Sequence, residues 1–298
     1  MTFPIVDWDA MDVHKPATAD QAFIDEFWSA AAKAWLETLR VACGDSFAIH
    51  ESERFLLLSP LSQRPAQVVL EYPEKTRKRI GRLLDGIARE SEQGKVCALI
   101  FKDQDQYYKY VSNYYLDEGE FSLSGGMFLQ HGYGHFVFVQ DDMSNIEPTI
   151  AHELTHCLLQ HLPLPAWLNE GIAVNIEHRL SPPPGRPLYM PDEMQQRHIA
   201  YWNETTIQEF WSGKSWRHPG ESNSLSYDLA KQFVGLGSRD PTAFREFANA
   251  ADVVDSADAA ARAYLGYPVA HLAHAVLGEG PWRPDPAKWN EGMERGQF

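Results

Sequence analysis

At 298 residues, with 44% hydrophobic and 22% charged residues, the chain has ordinary globular composition and length for one large or two modest cores, which excludes intrinsic disorder. A formal net charge of −15 argues against a nucleic-acid partner, because a phosphate backbone would be repelled overall, and favours neutral or basic substrates. No stretch approaches the ~20 apolar residues of a membrane span and the N-terminus carries no secretory signal, so the expectation is a cytoplasmic protein without a membrane span.

Thr18-x-x-Gln21 opens a predicted helix with Phe23, Phe27, Trp28, Ala31, Trp35 and Leu39 on one stripe, closed by Gly44. Short strands are expected at 47–50 and 54–58. Pro73 is expected to start the next helix, with Ile80, Leu83, Leu84 and Ile87 turned inward. Its Lys75, Arg77, Lys78, Arg79 and Arg82 form a basic cluster that reads as a solvated face, with an anion or partner site as the alternative. Val96 to Phe101 reads as a strand and Asp103 to Leu116 as a tyrosine-rich helix. The runs 121–129 and 135–139, joined through His131-Gly132-Tyr133-Gly134, read as a hairpin. His131 and His135 are taken as turn and strand residues and left out of any metal site.

Ser144-Asn145-Ile146-Glu147-Pro148 then holds a capping box with proline in the first turn, both helix-start signals. Ile150, Leu154, Cys157 and Leu158 follow at three- and four-residue spacing, marking a buried face. Beside that stripe lies Ala151-His152-Glu153-Leu154-Thr155-His156, an HExxH pattern. Histidines four apart on a helix share one face, a turn apart, where both imidazoles can hold one ion. Zinc in a catalytic site takes three protein ligands and leaves a fourth position to water. The glutamate beside the first histidine binds no metal in this pattern; it takes the proton from the attacking water. Pro163 and Pro165 end the helix near Leu162, and a second helical run from Ala166 to Glu177 carries Glu170. A short proline-bounded turn can fold Glu170 back onto the histidine face as the third ligand. Cys43, Cys97 and Cys157 are widely spaced in apolar contexts and read as reduced core thiols, Cys157 included.

HELTH, a short linker and LPAWLNEGIAVNIE together resemble the gluzincin metallopeptidases, most closely the peptidase-MA-like group with its His-Glu-x-x-His…Trp-Leu-x-Glu-Gly pattern. The likeness extends from about Lys95 to about Gly280. It implies a zinc ion held by His152, His156 and Glu170, with Glu153 as general base. It also implies an α+β, zincin-like fold with a mixed sheet packed on the zinc-binding helix. In that family the strand before the helix borders the cleft, where an extended peptide can pair with its free edge. One departure stands out: Val174 and Asn175 occupy positions where such sequences often carry an acidic residue and an aromatic. Glu177 is then the substitute carboxylate for orienting a ligand histidine, or a plain solvent-facing glutamate.

Beyond Glu177, Ser181-Pro182-Pro183-Pro184-Gly185-Arg186-Pro187 must be a loop. It leads to a mostly helical C-terminal lobe with helices expected at 206–211, 225–236, 241–250, 253–264 and 267–277, and a tail from Pro281. Tyr227 is the candidate donor to the oxyanion formed on an attacked carbonyl, a role suggested by the Tyr-bearing helix that the resembled family often has downstream of its zinc motif. A packing tyrosine is the alternative. Trp202, Trp211 and Trp216 either line a cleft or pack in a core. The expected organisation is an N-terminal α/β segment over 1–94, a catalytic lobe over 95–180 and the helical lobe over 181–298. The expected function is zinc-dependent hydrolysis of a peptide or protein substrate. The alternatives are a catalytically idle peptide-binding module and a zinc hydrolase of non-peptide substrates.

Overall fold

The computed structural model describes residues 3–14, 16, 18–90, 94–114, 126–129, 132–182, 189–218 and 220–289. Expectations for 115–125, His131, 183–188 and the tail from 290 lie outside these residues. The protein is α+β and divides into two compact units, Met1–Ile80 with Glu90–Leu158, and Gly81–Arg89 with Leu159–Phe298. No helix among the described residues is long and apolar enough to cross a membrane.

The first unit is built around a mixed five-stranded sheet. Its elements are α1 (Trp8–Asp12), α2 (Gln21–Cys43), β1 (Ala48–Glu51), β2 (Phe55–Ser59), α3 (Gln63–Leu83), β3 (Val96–Phe101), α4 (Gln104–Val111), β4 (Gly126–Leu129), β5 (His135–Val139) and α5 (Met143–Leu159). The strand order is β1-β2-β3-β5-β4, with β2, β3 and β5 parallel and the outer strands antiparallel to their neighbours. The strands expected in the N-terminal segment and those expected in the catalytic lobe therefore belong to one sheet. Alternate side chains of a strand face opposite sides. Leu56, Leu58, Cys97, Leu99 and Val137 pack with Trp28, Trp35 and Leu39 of α2 and Tyr107 and Tyr110 of α4. Phe55, Leu57, Ala98, Ile100, Phe136 and Phe138 meet Val69, Leu70 and Pro73 of α3 and Ile150 of α5. Burial on both faces explains why Val96–Phe101 is continuously apolar rather than alternating.

Three helix starts differ from expectation. Asp20, rather than Thr18, caps α2: its carboxylate accepts the Phe23 N–H at 2.8 Å. Phe23 is 45% exposed, one turn before the buried stripe begins at Trp28. Helix α3 starts at Gln63, so Pro73 is buried in mid-helix and Pro65 marks the first turn. An interior proline costs about 3 kcal/mol, whereas burying Val69, Leu70 and Ile80 contributes about 1.5–3 kcal/mol each. The amphipathic face outweighs the missing hydrogen bond. Helix α5 starts at Met143, where the Asp142 carbonyl accepts the Asn145 and Ile146 N–H groups, so Ser144 is helical rather than the cap. The basic cluster is a solvated face as expected at Lys75, Lys78, Arg79 and Arg82, which are exposed, and departs from expectation at Arg77 alone. Arg77 is buried between Glu74 and Glu90, Lys75 pairs with Glu71 at 3.0 Å, and Lys78 with Glu53 at 3.6 Å.

The second unit is helical: α6 (Ala166–Leu180), α7 (Pro191–Tyr201), α8 (Thr206–Trp211), a 3-10 turn (Lys214–Arg217), α9 (Glu221–Gly237), α10 (Pro241–Ala250), α11 (Asp258–Ala260) and α12 (Ala270–Leu277). The expected helix over 253–264 is broken, because Ser256 and Ala257 adopt left-handed conformations with φ of 57° and 64°. The break has a physical cause. The buried Ser256 hydroxyl donates to the Trp211 carbonyl at 3.0 Å and accepts the Trp167 indole N–H at 3.1 Å. Trp167, Trp211, Phe210, Phe233 and Phe247 form the aromatic core of this unit, which places Trp211 in packing; Trp202 joins them against Phe210. Helix α7 was not expected, although Pro191 at its first position with Asp192 and Glu193 behind it is a start signal.

Candidate metal centre

The HExxH segment occupies the last half of α5. Ile150, Ala151, Leu154, Cys157 and Leu158 form its buried side, and Thr155, also buried, satisfies its hydroxyl by donating to the Ala151 carbonyl at 2.8 Å. His152, Glu153 and His156 are half-buried beside that stripe. The two imidazole rings lie 4.8 Å apart at 75° to one another, as an i, i+4 pair on one helix face requires.

The chain then turns within a few residues. Leu162 N–H donates to the Leu159 carbonyl, and the Pro165 carbonyl accepts the Leu168 and Asn169 N–H groups to start α6. Pro165 supplies the fixed φ that suits this position, −64°. The Trp-Leu-Asn-Glu-Gly run that follows has a residue-by-residue logic. Trp167 and Leu168 are the anchors, at 1% and 0% exposure, with the Trp167 indole N–H shared by the Ser256 carbonyl and hydroxyl. Glu170 remains half-buried. Gly171 is required by packing: a Cβ there would lie 2.5 Å from the Ala230 carbonyl of α9 and 2.7 Å from a Val234 methyl. Asn175, one turn on, donates to the Gly171 carbonyl at 2.7 Å and the Lys231 carbonyl at 3.0 Å. Its amide stitches α6 to α9, a use that explains asparagine where the resembled family often has another residue. Glu177 is half-buried two turns beyond Glu170 on α6.

His152, His156 and Glu170 each offer one ligand atom, and these atoms all lie within 4.8 Å of one another. Donors around a tetrahedral zinc at about 2.0–2.2 Å stand about 3.3 Å apart, so the separation is within reach of that arrangement. Two neutral imidazoles and a carboxylate are a donor set suited to zinc. The three residues could hold a metal ion. Glu153, between the two histidines in sequence, accepts the main-chain N–H of Phe128 in β4 on its Oε2 at 2.9 Å.

Tyr227 lies on α9, half-buried, with its ring edge-on to Trp216 at 6.2 Å. It precedes Ala230 and Val234 by three and seven residues, which puts it on the side of α9 that meets Gly171.

His135 is not a ligand candidate. It is 1% exposed; its Nδ1–H donates to the Tyr133 carbonyl at 2.7 Å and its Nε2 accepts the Tyr110 hydroxyl at 2.7 Å. Burial lowers its pKa to about 4. Burial also pushes the Cys43 thiol up to about 11 and Cys157 to about 12, as inert core thiols require.

Sequence reasoning missed a second buried histidine. His198 of α7 is fully buried; its Nδ1 accepts the Trp202 indole N–H at 2.9 Å, so the hydrogen on Nε2 points at Asp228 of α9, 2.9 Å away. Gln232 also donates to that carboxylate at 2.7 Å. Burial pushes the Asp228 carboxyl up, but the bonds from His198 and Gln232 outweigh it and hold the pKa below its usual value. Only the i, i+4 spacing of His198 and Trp202 hinted at this group. No protein-family model matches the chain, and no curated protein sequence matches it.

Proposed function

We propose that the protein is a zinc-dependent peptidase of gluzincin type, with a zincin-like catalytic unit. One observation carries the reading: the donor atoms of His152, His156 and Glu170 converge within 4.8 Å while Glu153, beside His152, accepts a main-chain N–H from β4. An intact base next to an intact ligand set speaks against an idle binding module, in which Glu153 would be free to vary. His152, His156 and Glu170 would hold the zinc, which would supply a water of pKa lowered towards ~7 and a Lewis acid for a scissile carbonyl. Glu153 accepts the proton of the attacking water and delivers it to the leaving amine. Tyr227 donates its hydroxyl to the oxyanion, and an extended substrate pairs with the outer edge of the sheet.

The test is metal analysis of protein purified without chelators, paired with a screen of peptide and ester libraries. One zinc per chain and peptide cleavage abolished by chelation are expected. Protein that carries no zinc and gains none on addition ends the reading. Cleavage of esters without peptides would retain the metal centre and replace the substrate class.

A further inference from the structure

Outer strand β4 bears on the proposed base through its backbone rather than through a side chain. Phe128 stands directly opposite Phe136 in the antiparallel β4–β5 pair. Opposed residues in such a pair alternate between exchanging hydrogen bonds and pointing their N–H and C=O groups away from the partner. The Phe128 N–H goes to Glu153, so Phe128 is at a position whose N–H leaves the sheet. The register of the hairpin thus decides which N–H reaches α5; a slip of one residue would turn that N–H inward.

The strand itself is tightly located at this point. The Phe128 ring lies 5.1 Å from the Phe136 ring and covers Gly134, where a Cβ would come within 2.6 Å of its tip. Gly126 is filled in the same way: a Cβ there would sit 2.3 Å from the Phe138 ring. Two glycines let two phenylalanine rings seat the hairpin, and the seated hairpin aims one N–H at one carboxylate oxygen.

We propose that Phe128 is a positioning residue for Glu153, acting through its main-chain N–H, and this rests on the peptidase reading above. A glutamate has three rotatable bonds, and a half-buried one without an anchor samples carboxylate orientations that cannot reach the water. A bond to Oε2 from a fixed strand restricts the carboxylate to a narrow set of orientations. Geometry of this kind is where catalytic rate is lost when a group is misplaced by about 1 Å, at a cost of ~10²-fold.

Two measurements test it. The first needs no activity: the Phe128 amide should exchange with solvent slowly in the wild-type protein and at least ~10-fold faster in Glu153→Ala, because that bond is its protection. The second replaces Phe128 by phenyllactic acid, which turns the preceding amide into an ester and deletes the N–H while keeping the ring. The ester protein should keep its zinc and its KM and lose ~10–100-fold in kcat. In a Glu153→Ala background the same ester should leave the residual rate unchanged, whereas a merely structural role would slow both backgrounds alike. Equal exchange in wild type and Glu153→Ala, or equal slowing in both backgrounds, overturns the proposal. If the wild type is active and the ester has no effect, this inference alone fails. If the wild type holds no zinc and cleaves nothing, the peptidase reading fails and the positioning role falls with it, even where the exchange difference persists.

Discussion

His135 and the His152–His156 pair lie in the same unit but differ in what their ring nitrogens do. His135 is 1% exposed and both ring nitrogens are committed, one to a main-chain carbonyl and one to the Tyr110 hydroxyl. His152 and His156 are half-buried and bring ring nitrogens to within 4.8 Å of a Glu170 oxygen. His198, in the other unit, repeats the first pattern with Trp202 and Asp228. A buried histidine whose two nitrogens are spent inside the protein stabilises packing. A histidine that converges with a second histidine and a carboxylate at partial exposure is a ligand candidate. Residue type alone separates neither.

The comparison can be broken most decisively at the metal. His156→Ala should remove stoichiometric zinc and with it all peptidase activity, while far-UV dichroism keeps most of the helical signal; elemental analysis reads the first and dichroism the second. Zinc retained at wild-type stoichiometry would remove His156 from the site. Next in size is Glu153→Gln, which should keep the metal and lower kcat ~10²–10⁴-fold, the range of a missing general base. Metal loss in that variant would mean that Glu153 is a ligand instead. Tyr227→Phe should lower kcat ~10²–10³-fold with little change in KM if its hydroxyl meets the oxyanion. Steady-state kinetics that match the wild type would leave Tyr227 to packing against Trp216.

The smallest effect belongs to the other kind of histidine. Burial holds His135 at about 4 when folded, below the ordinary 6.5. Between those two values the unfolded chain binds a proton that the folded one does not, so stability rises with pH across the window and is lost as pH falls from 6.5 towards 4. The full loss is about 3 kcal/mol, at 1.36 kcal/mol per pKa unit. Denaturation midpoints measured from pH 7 to 4 should show this slope, and His135→Phe should flatten it while leaving zinc content unchanged. A slope that persists in the variant would assign the acid sensitivity to other groups.

Much of the fold was legible because it rests on local signals. Strand β3 and helices α8 and α10 begin and end where their apolar runs, turn residues and prolines place them. The metal-ligand candidates were legible for a similar reason: a spacing of four on a helix is a geometric statement before any tertiary contact forms. Where reading failed, a distant partner had intervened. The helix over 253–264 is broken because Ser256 bonds to Trp167 and Trp211, 89 and 45 residues away. Pro73 looked like a start because its cost in mid-helix is local, while the burial that offsets it is not. Arg77 looked solvated because Glu90, thirteen residues on, could not be seen as its partner.

The sequence by itself determined most of the elements, though not α7 or the break at Ser256, together with the HExxH face and the candidate donor Glu170, since these follow from periodicity, capping and a proline-bounded turn. Only the tertiary structure decided that Gly171 must be glycine, because the Ala230 carbonyl closes on it. It alone spent both nitrogens of His135 and His198, and it alone brought the Phe128 N–H to Glu153, 25 residues along the chain. The physical reason is the same throughout. Helix and strand preferences are set by near neighbours, whereas hydrogen-bond satisfaction in a dense interior is set by whatever residues the packing brings within 3 Å.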